Sequence, residues 1–201
     1  MSRFFNIQTD AEGVCTIFLY GDIGDYYEVQ SGRVARELLE AEKAGSRIHV
    51  RINSNGGDVY CGIAIYNAIK NSKADVHIYV DGIAASMASV IALCGKPVEM
   101  SKYARLMLHS VSGGCYGNKK EMQKCIEEIE SLEDSLGDIY AARLGMTKEE
   151  VKATFFDGED HWLTADDALR LGFIDGIYDA EPVPAGSTPA VSYTHLTLPT
   201  N

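Results

Sequence analysis

The chain has 201 residues, with 18 lysines and arginines against 29 aspartates and glutamates, giving a formal net charge of -11. This length supports one substantial core at about 100 to 200 residues per domain, and the acidity excludes nucleic acid as a partner because no basic footprint is available for phosphates. Five cysteines, an odd number without a CxxC pair, describe a reducing compartment better than a disulfide framework. The N-terminus lacks a secretory pattern and no apolar run reaches the roughly 18 residues of a membrane span, so a cytoplasmic protein without membrane contact is expected.

In chain order, 14-VCTIFLYG-21 is β-branched and aromatic and predicts a strand. The segment 29–45 carries Val34, Leu38 and Leu39 at helical spacing and ends on Gly45. A short strand over 48–52, a helix through Ile63, Tyr66 and Ile69, and a strand over 76–80 follow. This alternation predicts parallel pairing with crossover helices. Two unusual loops, 53-NSNGGD-58 and 81-DGIAAS-86, then fall at the carboxyl ends of strands, where open α/β sheets usually bind ligands. After the apolar 87–95, short strands are expected at 98–100 and 105–109. The longest helical pattern carries a stripe through Met122, Ile126, Ile129, Leu132, Leu136 and Tyr140, with Gly137 as an interruption. Thr147 with Glu150, and Thr164 with Asp167, have the spacing of helix N-terminal caps. From Glu181 the composition turns to Pro, Gly, Ser and Thr, so 181–201 is expected to be a disordered tail or a sequence artefact.

Several residues are suited to chemistry. A serine hydroxyl needs a base, an orienting group and oxyanion donors to act as a nucleophile. Ser86, among Ala84, Ala85 and Ala88, sits where a helix could start close beneath its hydroxyl, although a cap or packing serine has the same surroundings. His109 lies at a strand-to-loop transition and is the best-placed base, while His49 and His77 lie within strands and His195 in the tail. For an orienting carboxylate, Asp160, Asp157 and Asp167 compete, and spacing alone does not choose between them. The paired glycines of 54-SNGGD-58 allow close backbone approach and could present N–H groups to an oxyanion, or simply make a tight turn. No P-loop or HExxH motif occurs, so no cofactor and no metal are expected in this chain.

The order of 52-INSNGGDVYCG-62, 82-GIAASMAS-89, 106-LMLHSVSGG-114 and 160-DHWLTADDALRLGFID-175 resembles the proteolytic subunit of the Clp protease, a serine peptidase family, and especially its phage and prophage head-maturation relatives. The resemblance implies an α/β fold of the Clp protease and crotonase kind, with repeated ββα units and a projecting helical handle over 119–145. It divides the chain into a short N-terminal segment (1–16), a peptidase domain (17–180) and the tail (181–201). It implies Ser86 as nucleophile, His109 as general base and Asp160 as the group that orients it. The backbone N–H groups of Gly57 and Met87 would be the oxyanion donors, and Gly113 and Gly114 would lie in the segment that aligns substrate and contacts neighbouring subunits. Homo-oligomeric stacked rings, a polypeptide substrate such as a capsid or scaffold protein, and ATP used only through a partner AAA+ unfoldase are further implications.

The chain departs from the housekeeping pattern at two places, with Ser54-Asn55-Gly56-Gly57 for serine-proline-glycine-glycine and Ala88 for the glycine after the ASM triplet. The stretch before Ile17 does not match the axial-loop region of the housekeeping subunit, which leaves the unfoldase partnership open. Competing readings are a crotonase-like acyl-coenzyme A enzyme, a Ser-Lys peptidase using Lys96 or Lys102, and an inactive capsid or scaffold component.

Overall fold

Alternation of buried and half-buried residues organises the central sheet of the computed structural model, which describes residues 7–179 apart from 12 and 46. In β2 (Val14–Tyr20) the buried set is Cys15, Ile17 and Leu19; in β3 (Arg47–Ser54) it is Ile48, Val50, Ile52 and Ser54. In the first part of β4 (Val76–Ala85) it is Val76, Ile78 and Val80. These three strands are parallel neighbours. Successive side chains point to opposite faces, so period-two burial means that one face is covered and the other is not. Parallel sheets covered on both faces instead carry continuous apolar runs. Here the second face carries Phe18, His49, Arg51, His77 and Tyr79, all half-buried.

The covered face packs under crossover helices. Helix α1 (Ser31–Lys43) buries Val34, Leu38 and Ala41, and α2 (Val59–Asn71) buries Ile65, Tyr66 and Ile69, each at the three- and four-residue spacing of a single face. The short α3 (Met87–Ala92) is buried throughout. A further strand, β1 (Ile7–Thr9), pairs antiparallel with β2.

Strand β4 runs five residues past the expected end at Val80 and changes partner on the way. Residues Ile78–Val80 pair with β5 (Val98–Met100), whereas Ile83–Ala85 pair with β6 (Arg105–Leu108). Asp81 and Gly82, which suggest a turn in the sequence, are accommodated inside the strand for specific reasons. The Asp81 carboxylate accepts from both Nε and Nη2 of Arg51, from the Tyr20 hydroxyl at 2.6 Å and from the Tyr178 hydroxyl at 2.9 Å. At Gly82 a Cβ would stand 2.6 Å from Asn53 Oδ1, so the glycine lets the Asn53 side chain of the neighbouring strand lie against the backbone here. Strand β7 (His161–Thr164) pairs antiparallel with β6, and β8 (Gly176–Ile177) lies parallel to β5.

Helix α4 (Lys119–Leu144) starts from an Asn118–Glu121 capping box and continues unbroken through Gly137. That glycine is buried because α5 (Lys148–Phe155) packs against it: a Cβ there would be 3.2 Å from Lys148 Cγ. Burial on α4 is confined to Leu136, Gly137 and Tyr140, while Met122 and Ile126 in its first half are exposed. Thr147 caps α5 with Glu150, and Thr164 caps α6 (Ala165–Arg170), as their spacing predicts. Among the described residues no helix is long and apolar enough to cross a membrane. The tail expected over 181–201 lies outside the described residues.

Replacing Asp81 by alanine would leave the half-buried Arg51 guanidinium and two tyrosine hydroxyls without their acceptor. A loss of about 1–3 kcal/mol is expected, read as a lower urea midpoint, with Asp81→Asn losing less because one acceptor oxygen remains.

Candidate active site

The turn from β4 into α3 is made by a serine in an unfavourable conformation. Ser86 has φ 52° and ψ -124°, and it is the only non-glycine residue with positive φ among the described residues. Such a conformation costs about 1–3 kcal/mol and persists only where the surroundings over-determine it. Three contacts do so here. The Ser86 N–H donates to the Met107 carbonyl of β6 at 2.9 Å. Its carbonyl accepts from the Ser89 N–H at 3.0 Å and from the Ser89 hydroxyl at 2.6 Å. Because the single Ser89 proton is used there, the Tyr140 hydroxyl, 2.8 Å away, donates to Ser89 Oγ. Burial holds the Tyr140 phenol far above its ordinary pKa, so it stays a neutral donor. The sharp strand-to-helix turn leaves Ser86 Oγ facing an open cleft, the geometry of a nucleophile elbow.

Strand register brings the other two side chains to that hydroxyl. Ala85 pairs with Met107, so the end of β6 runs alongside Ser86, and His109 lies just beyond it. His109 Nε2 is 2.8 Å from Ser86 Oγ. Leu108 pairs with His161 in the antiparallel β6–β7 ladder, which makes residues 109 and 160 the next positions opposite each other. His109 Nδ1 is accordingly 3.2 Å from Asp160 Oδ1. A proton on Nδ1 would face the carboxylate and leave the Nε2 lone pair toward the hydroxyl.

The rival aspartates are engaged elsewhere. Asp157 Oδ1 lies 2.8 Å from His161 Nε2, and that hydrogen bond holds its carboxyl below the usual range. Asp167 accepts from Thr164 and from Arg170 at 2.7 Å each. Ser110 Oγ accepts the Gly158 N–H at 3.1 Å and clamps the loop that carries Asp160. Among the described residues, no three His, Cys, Asp or Glu side chains are grouped to hold a metal ion. Lys96 donates to the Ser72 carbonyl and Lys102 lies over the Tyr103 ring, so neither is the serine's partner.

Gly56 and Gly57 have φ of 98° and 144°, a region that L side chains rarely adopt. At Gly56 a Cβ would stand 2.7 Å from the Ala85 carbonyl and 2.9 Å from the Met87 nitrogen, so the loop lies directly against the serine turn. At Gly57 a Cβ would overlap the Ile23 carbonyl. Ile23 donates to the Gly56 carbonyl and accepts from the Asp58 N–H, both at 2.8 Å. In such a parallel bridge the intervening residue's own N–H points to the other side, and Gly57 lines the cleft together with Ser86, Met87 and His109. Met87 is the first residue of α3, so its N–H has no intrahelical acceptor.

The segment carrying Gly113 and Gly114 leaves this cleft at Ser112 and runs along α4 without a strand partner among the described residues. Its contacts there are a hydrogen bond from the Val111 N–H to Glu133 Oε1 and packing of Gly113 beside Ile129.

A serine, a histidine and an aspartate in this spatial order, next to two backbone donors, invite comparison with known proteins. The Clp protease family model matches residues 2–181. The chain belongs to the Clp protease family. It is 33% identical over 163 residues to an ATP-dependent Clp protease proteolytic subunit of Bacteroides fragilis, covering 80% of this chain and 77% of the relative. A second such subunit, from Bacteroides fragilis strain YCH46, is 33% identical over 163 residues, covering 80% of this chain and 73% of the relative. Characterised members of the Clp protease family are serine endopeptidases, and the α/β fold with repeated strand-helix elements agrees with membership.

Sequence reasoning missed Ser89, Tyr140, Ser110 and Gly62. Gly62 gives the Met87 side chain its seat, since a Cβ there would overlap Met87 Cγ. Tyr140 lies 51 residues from Ser89, and no local pattern announces that pairing. The one available signal was a polar residue inside the apolar 87–92 run, which needs a buried partner.

Two substitutions test the backbone argument. Ser86→Gly and Ser86→Ala both delete the hydroxyl, but only glycine relieves the positive φ, so the glycine variant should be more stable than the alanine variant by about 1 kcal/mol in thermal unfolding. Gly57→Ala should lower stability by roughly 2–4 kcal/mol or prevent folding, because its Cβ meets backbone rather than a yielding side chain.

Proposed function

We propose that this protein is a serine endopeptidase in which Ser86 is the nucleophile, His109 the general base and Asp160 the residue that orients and stabilises the imidazolium. The carrying observation is the unbroken line from Ser86 Oγ to His109 Nε2 at 2.8 Å and from His109 Nδ1 to Asp160 at 3.2 Å, anchored on a strained serine turn. Ser86 Oγ attacks the peptide carbonyl carbon while His109 takes its proton, and the carbonyl oxygen becomes an oxyanion facing the N–H groups of Gly57 and Met87. Collapse of the tetrahedral intermediate expels the amine, which takes the proton back from His109, and leaves an acyl group on Ser86. Water, deprotonated by His109, then attacks the ester carbonyl, and the second tetrahedral intermediate, its oxyanion at the same donors, collapses to release the acid as His109 returns the proton to Ser86 Oγ.

Assembly follows from the same reading. The exposed Met122 and Ile126 on α4, together with family membership, support a homo-oligomer of stacked rings in which α4 and the Gly113–Gly114 segment meet neighbouring copies. Polypeptides reach an enclosed chamber and lie along that segment. Family members act with AAA+ unfoldases, and any ATP dependence of this protein enters through such a partner. The likeness of the four ordered motifs to head-maturation relatives is the support for a capsid or scaffold protein as substrate.

Labelling with a serine-directed fluorophosphonate tests the mechanism. A single adduct on Ser86 is expected in the wild type and none in Ser86→Ala, with peptide turnover lowered on the order of 10⁶-fold by Ser86→Ala and about 10⁴-fold by Asp160→Asn. An assembled wild-type protein that takes no label would overturn the triad and favour an inactive scaffold, and acyl-coenzyme A binding in its place would favour the crotonase-like reading.

A further inference from the structure

Two cysteines outside the proposed triad are brought together by the path of the chain between the cleft and α4. After β6 the segment runs antiparallel along α4 in a regular register. The Val111 N–H donates to Glu133, and Gly113 lies beside Ile129, with its Cβ position 3.5 Å from Ile129 Cδ1. Each step of two residues in the extended segment answers a step of four in the helix, which matches about 6.6 Å of extended chain to about 6 Å of helix. The next step sets Cys115 against Cys125. The nearness of the Cys115 side chain is also the largest cause holding the Cys125 thiol above its ordinary pKa. Cys115 is exposed and Cys125 partly so, whereas Cys15 and Cys94 are buried.

We propose that Cys115 and Cys125 are a thiol–disulfide site that closes to an intramolecular disulfide by exchange with a low-molecular-weight disulfide such as oxidised glutathione. The exposed Cys115 thiolate attacks one sulfur of the small disulfide, forming a mixed disulfide and releasing one thiolate. The Cys125 thiolate then attacks Cys115 Sγ, forms the intramolecular bond and releases the second thiolate. Two protein thiols are oxidised and one small disulfide is reduced to two thiols, with the two thiol protons going to solvent or to the leaving thiolates. Exchange is favoured at Cys115 because it is the accessible member, and resolution by Cys125 is favoured because the register of the segment on α4 sets it opposite Cys115.

The bond would fix a segment that has no strand partner among the described residues. Val111 and Ser112, at its near end, line the cleft beside Ser86, so oxidation would set the position of one wall of the cleft. This makes the pair a redox-sensitive clamp on access to the site, rather than part of its chemistry.

The full chain, incubated natively with oxidised glutathione, alkylated and digested with trypsin, gives a direct reading. The expected product joins the peptides 106–119 and 125–143, with alkylation of both cysteines lost and restored by dithiothreitol, and with no cross-link in Cys115→Ser. Amide exchange over 111–115 should slow in the oxidised protein. Stable glutathione on Cys115 with Cys125 still alkylated, or disulfide-linked dimers instead of the internal cross-link, would overturn the site; a cross-link with unchanged exchange would overturn the clamp. The readouts are mass and exchange, so they stand apart from whether Ser86 cleaves peptides.

Discussion

The backbone of Ser86 is the constraint on which the rest of the site depends. A serine at φ 52° stays there only because β6, the Ser89–Tyr140 hydroxyl pair and the Gly56 loop hold it from three directions. Each support serves a second purpose. The β6 contact fixes the strand that ends in His109, the hydroxyl pair ties the turn to α4, and the glycine loop brings the Gly57 N–H to the same cleft. The conformational cost at one residue is thus offset by contacts that also assemble its neighbours.

Strand β4 explains how one sheet can do this. By pairing with β5 over its first part and β6 over its last, it offers successive stretches of one backbone to two parallel strands. The β6 branch, continued antiparallel into β7, delivers a histidine and an aspartate to the end of β4. Asp81 makes the branch feasible: its carboxylate gathers Arg51, Tyr20 and Tyr178 at the point where the partner changes. A charged residue inside a strand is tolerable when every oxygen has a donor.

Two surfaces of the single chain are less finished than the core. One sheet face carries half-buried aromatic and charged side chains, with Arg51 over the rings of Tyr79 and Tyr178 and His49 edge-on to Tyr79. The first half of α4 covers little of its own sheet and shows Met122 and Ile126 to solvent. Asp160 is itself exposed, its side chain 56% accessible, so its attraction for the His109 imidazolium is screened by water unless something covers the loop. Covering that carboxylate would strengthen the same contact without moving an atom of Ser86, His109 or Asp160.

Much of this molecule is written in local pattern. Strand β2, helices α1 and α2, and the caps at Thr147 and Thr164 follow from periodicity and side-chain capping within a few residues. Ser86 and His109 also stood out locally, as a serine among alanines and a histidine at a strand end. Distance in sequence decided the remainder. Nothing near Asp160 separates it from Asp157 or Asp167 until the β6–β7 register aims one carboxylate at His109 and the others at His161, Thr164 and Arg170. Asp81 and Gly82 look like a turn until Arg51 and Asn53 on the next strand are present to accept them. Ser89 has no visible role until Tyr140 arrives from α4. Hydrogen-bond partners and steric room between distant segments are properties of packing, so local sequence determined the elements and the candidate groups, and only the tertiary structure decided which of them meet.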